Sequence, residues 1–149
     1  MKENHKFRYA EKCLYEYKKN LARLNVLSED LRVLKCSSDV KAQSYNLIFS
    51  SNGRPSDPVF NYVVKIESIE EEIGKIRRVT DPISRMIKDF SAPEVLENSY
   101  QHRLFEIMRY VYFGNNSWRD VAQELHIGKS LFFHCKKELV KCAIDYLGL

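Results

Sequence analysis

The chain predicts an all-α protein: a long-helix hairpin or coiled coil at the N-terminal end, followed by a small helix–turn–helix domain. Three observations carry this. Two long stretches place apolar residues three and four apart, the spacing of one helix face. Strand-type alternation persists nowhere for long. A short helix pattern, a tight turn and a second helix pattern occupy Ser117 to Leu139. The expected organisation is a helical oligomerisation region at 1–90, a linker at 91–99 and a helix–turn–helix domain at 100–149.

The first helix is expected from about Phe7 to Lys35, because Phe7, Ala10, Leu14, Tyr17, Leu21, Leu24, Ser28 and Leu31 form a seam with one polar interruption. Lys12, Lys18, Lys19, Arg23 and Arg32 fall largely off that seam and read as a solvated face. From Ser37 to Asp57 the order is lost, and Ser51-Asn52-Gly53-Arg54-Pro55-Ser56-Asp57-Pro58 is dense in turn formers. Ser56 or Asp57 can cap the next helix, and Pro58 suits a first turn that needs no donor there.

The second helix should therefore begin near Asp57. Its seam runs through Val59, Tyr62, Ile66, Ile69, Ile73, Ile76, Thr80, Ile83, Ile87 and Phe90, and such a face needs a partner helix. Glu67, Glu70, Glu71 and Glu72 with Lys75, Arg77 and Arg78 put mixed charge elsewhere, including the favourable Glu71 to Lys75 pair. Asp81-Pro82 interrupts the backbone ladder but not the seam, so a kink or short break is expected there, with full chain reversal as the alternative. Pro93 and the acidic Glu94 and Glu97 mark the linker. The two seams pair as an antiparallel hairpin or recruit a second chain.

In the C-terminal part, Leu104, Ile107, Met108, Val111 and Tyr112 form the apolar face of one helix. Val121, Ala122 and Leu125 line the next, with the small Ala122 where two helices must approach closely, and Gly128 lies in the turn. Phe132, Cys135 and Leu139 make the buried stripe of the last helix, leaving Lys129, Ser130, Phe133, His134, Lys136 and Lys137 on other faces. Trp118 reads as a packing residue that fixes the helix pair.

Composition narrows the function classes. The net charge of +4 over 149 residues divides into +4 for 1–90, −2 for 91–99 and +2 for 100–149, which permits nucleic-acid binding without demanding it. Cys13, Cys36, Cys135 and Cys142 are scattered, and the charged N-terminus carries no signal peptide. No apolar run is long enough for a bilayer, so a cytoplasmic protein with reduced thiols and no membrane role is expected. Cys135 and Cys142 lack the close ligand pairing of zinc sites and read as small buried hydrophobes, so no metal and no cofactor is expected. No glycine-rich phosphate loop, paired carboxylate motif or nucleophile elbow appears, and the enzyme class finds no support.

The order of parts resembles a known family. The turn Ser51-Asn52-Gly53-Arg54-Pro55-Ser56-Asp57-Pro58 and the stretch Ser117-Trp118-Arg119-Asp120-Val121-Ala122-Gln123-Glu124-Leu125-His126-Ile127 are similar to those of phage late-transcription regulators of the RinA and ArpU kind. Their C-terminal helix–turn–helix resembles region 4 of sigma factors. The resemblance implies a bacterial-host cytoplasmic, sequence-specific activator of late phage genes such as packaging, structural or lysis operons. The family usually carries several arginines and a serine or threonine at the start of the recognition helix, where this chain has Gly128, Lys129, Ser130 and Leu131.

The residues expected at double-stranded DNA are Ser117, Arg119, Lys129, Ser130, Phe133, His134, Lys136, Lys137 and Lys141. Ser117 and Lys129 stand near helix starts and would anchor phosphates, with Lys136, Lys137 and Lys141 as further backbone contacts. Ser130, Phe133, His134 and Lys137 would reach base edges, Phe133 meeting thymine methyl groups. A homodimer through the N-terminal helices would set two readers on two half-sites, and bacterial RNA polymerase is a further partner. Two other readings stay open: a small DNA-packaging adaptor, and a helical protein-interaction module without DNA binding.

Overall fold

The computed structural model describes residues 2–49, 57–97 and 99–149, and within them all side chains except those of 38–49, 57–59, 95, 96 and 99. Among these residues every regular element is a helix: α1 (Glu3–Phe49), α2 (Asp57–Phe90), α3 (Pro93–Leu96), α4 (Ser99–Ile107) running into a π-helical turn (Met108–Tyr112), α5 (Trp118–Glu124) and α6 (Lys129–Leu147). The all-α expectation holds.

Two boundaries differ from the sequence reading. The first helix does not stop near Lys35 but continues to Phe49. Nothing between Ser37 and Phe49 is glycine or proline, so the sequence holds no residue that breaks the backbone ladder there. The start of α2 at Asp57 matches, while the turn residues 51–56 lie outside the described residues. Pro82 sits inside the continuous α2, so the chain does not reverse there, as expected, and the helix is not broken. The buried Thr80, Ile83 and Met86 hold the helix on both sides of the missing donor. Within the expected linker, Pro93 opens α3, the first-turn position that proline favours.

The chain packs as two units: Met1–Asn20 together with Arg78–Leu149, and Leu21–Arg77. This division differs from the one drawn at 91–99, since the start of α1 and the end of α2 belong with the C-terminal helices.

In the unit Leu21–Arg77, α1 and α2 run antiparallel. Leu34 shares a shallow groove with Asn61, Tyr62 and Lys65, while Ser28 and Leu31 lie beside Ile73, Gly74 and Arg77. Ion pairs from Arg23 to Glu72 at 3.0 Å and from Lys35 to Glu70 at 3.2 Å flank the seam. Leu27 and Ile73 are its buried centre. Leu27, not the expected Ser28, faces inward, because a 3.6-residue helix drifts against any fixed alternation of three and four.

The other unit holds the larger core. Ala10, Cys13, Leu14 and Tyr17 of α1 and Ile83, Met86 and Phe90 of α2 are buried with Leu104, Ile107 and Met108, then Val121 and Ala122, then Phe132, Cys135, Leu139, Val140 and Ala143. Polar contacts tie its parts together. Tyr17 and Ser84 hydroxyls lie 2.8 Å apart, and the Tyr146 hydroxyl donates to Asp89 Oδ2 at 2.6 Å. Glu11 Oε1 receives both Lys136 Nζ and the Tyr112 hydroxyl at 3.2 Å. No described buried side-chain nitrogen or oxygen lacks a partner.

Candidate nucleic-acid interface

The site is built on the α5–turn–α6 segment, and its approach is tightly made. The π-helical turn closes with the Phe113 amide donating to the Met108 carbonyl, one residue further back than an α-helix would reach. The Asn116 amide and side chain then both donate to the Tyr110 carbonyl at 3.0 and 3.1 Å. A Cβ on Gly114 would fall 2.8 Å from that same oxygen, which is why the smallest residue stands there.

Ser117 is the N-cap of α5. Its hydroxyl accepts the Asp120 amide at 3.3 Å and donates to Asp120 Oδ2 at 2.8 Å. The side chain expected to anchor phosphate is thus engaged in capping the helix. At the other end of α5 the chain turns in a Schellman arrangement: the Ile127 amide donates to the Ala122 carbonyl at 3.0 Å and the His126 amide to the Gln123 carbonyl at 3.2 Å. The left-handed position such a turn requires is taken by His126, at φ 55°. Gly128, expected to serve the turn, is extended at φ −76°, ψ 165° and is the N-cap of α6.

Trp118 joins the two helix starts. Its ring centroid lies 6.4 Å from that of Phe132 and 5.6 Å from that of Phe133, with the two phenylalanines edge to face at 5.2 Å. The Arg119 guanidinium and the Lys129 ammonium stand 5.5 and 5.4 Å from the same ring. The negative π density of the ring attracts both cations and holds them near it. The single tryptophan, read as packing, also lies beside two of the candidate DNA contacts, Arg119 and Lys129.

Along α6, Phe132, Cys135 and Leu139 face inward as expected, joined by Val140 and Ala143. Ser130, Phe133, His134, Lys137 and Lys141 are exposed and recur at helical spacing on the outer side. Phe133 keeps 42% of its surface in solvent, and Leu131 37%, an apolar edge that spacing did not single out. Lys141 donates to Glu138 at 2.8 Å; this contact, with a smaller contribution from Glu3 of α1, holds the ammonium above its usual range and the Glu138 carboxyl below its own.

Lys136 is placed otherwise than its spacing implied. It is half-buried against Glu11, with its ammonium 5.9 Å from the Tyr15 ring and 5.7 Å from the Tyr112 ring. Burial and the neighbouring Glu11 and Tyr15 push the Tyr112 phenol far up, so it stays a donor. This lysine fastens α6 to α1 and is not turned outward. Sequence could not find the partnership, since Glu11 and Lys136 are far apart in the chain and no periodicity relates them.

The thiols of Cys13 and Cys135 are buried, that of Cys142 is half-buried and that of Cys36 exposed. Among the described residues no cluster of histidine, cysteine or carboxylate side chains could hold a metal ion. No helix among them is long and apolar enough to cross a membrane. Comparison with protein-family models, curated proteins and solved structures found no match.

Proposed function

We propose that the protein is a sequence-specific double-stranded DNA-binding regulator, an activator of the late-gene kind that its resemblance to phage regulators implies. The observation that carries this reading is the outer side of α6. Ser130, Phe133, His134 and Lys137 are exposed together on a helix whose inner face is anchored by Phe132, Cys135 and Leu139. A rigid helix with such a stripe suits a major groove, and the exposed aromatic suits a thymine methyl group. Arg119 and Lys129, held at the Trp118 ring, would supply positive charge to backbone phosphates.

One reader of this size covers a short site, so a homodimer through α1 and α2 is part of the proposal, with RNA polymerase as the partner an activator would engage. Capture of bound DNA from a phage-bearing host, followed by binding titrations, tests it. A single preferred site beside a late operon is the expected result. The triple substitution Ser130→Ala, Phe133→Ala, His134→Ala should abolish the preference while leaving weak, salt-sensitive binding. An unchanged preference in the triple variant overturns the reading face, and ring-shaped assemblies bound within packaging genes would favour an adaptor instead.

A further inference from the structure

We infer that the start of α1 is a second DNA-contacting element, a basic track that meets backbone phosphates beside the α6 reader; the inference rests on the DNA-binding reading above. His5, Arg8, Lys12, Tyr15 and Lys19 follow one another at spacings of three and four and are all exposed, so they form a single stripe. This stripe belongs to the unit that contains α5 and α6.

Two contacts fix where the stripe lies. Glu11 reaches Lys136 at 3.2 Å, and Tyr15 packs against Tyr112 with ring centroids 4.6 Å apart, under the same Lys136 ammonium. Glu3 acts on Lys141, one turn further along α6. The Glu11–Lys136 pair is thus the point at which the start of α1 meets α6. Glu11 and Tyr15 are the edge of α1 that touches this neighbour, and the stripe begins at Tyr15 and continues outward from it.

The one ion pair on the stripe among the described residues is loose. Lys12 reaches Glu16 only at 3.9 Å with 69% of its side chain exposed. A pair this long and this solvated is readily exchanged for a phosphate. Tyr15 keeps 45% of its surface in solvent and adds a hydroxyl donor between the cations. Periodicity alone reads these residues as the solvated back of a coiled coil; their place beside the reader gives the charge a use.

Binding of the full chain to a labelled duplex of random sequence, titrated with salt, tests this. The triple substitution Arg8→Gln, Lys12→Gln, Lys19→Gln should lower the slope of log K against log salt by about 2–3, since each lost phosphate contact removes about 0.9. Preference among sequences should stay as in the wild type. Arg8→Lys, Lys12→Arg, Lys19→Arg, which keeps the charge, should retain the slope. Lys65→Gln, Lys75→Gln, Arg77→Gln on α2 changes net charge equally and should have the smaller effect. An unchanged slope in the first triple, or equal losses in the two neutralising triples, overturns the α1 track while leaving α6 as a reader. A wild type without salt-sensitive duplex binding overturns both.

Discussion

His126 occupies the one position of the α5–α6 turn that a side chain resists, with φ at 55°. Histidine, asparagine and aspartate tolerate this region better than most residues, and β-branched residues tolerate it worst. Replacing His126 by Val should cost about 1–2 kcal/mol, the penalty of the left-handed conformation for a residue with a crowded Cβ. Replacing it by Asn should leave stability close to wild type. Urea unfolding of the three proteins separates the cases, and equal midpoints for Val and wild type would show the turn to be relaxed in solution. The turn itself was legible from Leu125 to Gly128, but the residue bearing the strain was not. Glycine is the usual occupant, and Gly128 stood two places away, where the chain needed only an extended N-cap. Lys136 was misplaced for a related reason: helical spacing sorts residues by face, whereas its direction is set by Glu11 and two tyrosine rings contributed from elsewhere.

Helices were easier to foresee than their ends. The seams of α1 and α2, and the apolar faces from Leu104 to Tyr112 and from Phe132 to Leu139, follow from spacing because burial selects apolar side chains at the helical period. Helix length in α1 did not follow, since the apolar period fades after Lys35 while the helix runs on to Phe49. The π-helical turn at Met108–Tyr112 was equally silent: one extra residue in a turn shifts the pattern by less than the tolerance of a three-and-four seam. Met86 is fully buried although the seam passed it by, which widens the inner face of α2 beyond a narrow coiled-coil stripe. Gly74 gives an element-scale test. It lies in the interior of α2, and a Cβ there would meet nothing within 4 Å. Gly74→Ala should therefore stabilise the protein by about 0.5–1 kcal/mol through the unfolded chain's lost freedom. A destabilised variant would indicate that a second chain approaches this helix closely in solution.

For the whole molecule, the joints between elements carry tyrosines whose protonated form the fold favours. The hydrogen bond to Asp89 comes first among the causes that push Tyr146 up to about 12, with burial second. Tyr112 is raised as well, chiefly by burial. In the unfolded chain both phenols lose their protons near pH 10. The stabilisation is thus complete below about pH 10 and is lost as pH rises toward about 12, because only the unfolded state ionises readily over that range. Thermal melts between pH 8 and 11.5 should show a falling midpoint, and Tyr146→Phe should start lower at pH 8 and fall less steeply. A parallel decline in both proteins would remove Tyr146 from the account.

The shared carboxylate of Glu11 has a wider consequence for modularity. Because Lys136 and Tyr112 both close on a residue of the first helix, the last fifty residues are not a cassette that could be moved onto another scaffold. A graft beginning at residue 100 would leave behind Ala10, Leu14, Tyr17 and Met86, all part of the same core. Recombination that reshuffles such proteins would have to carry both ends of the chain together, so the start of α1 and the α5–α6 segment are expected to be inherited as one piece.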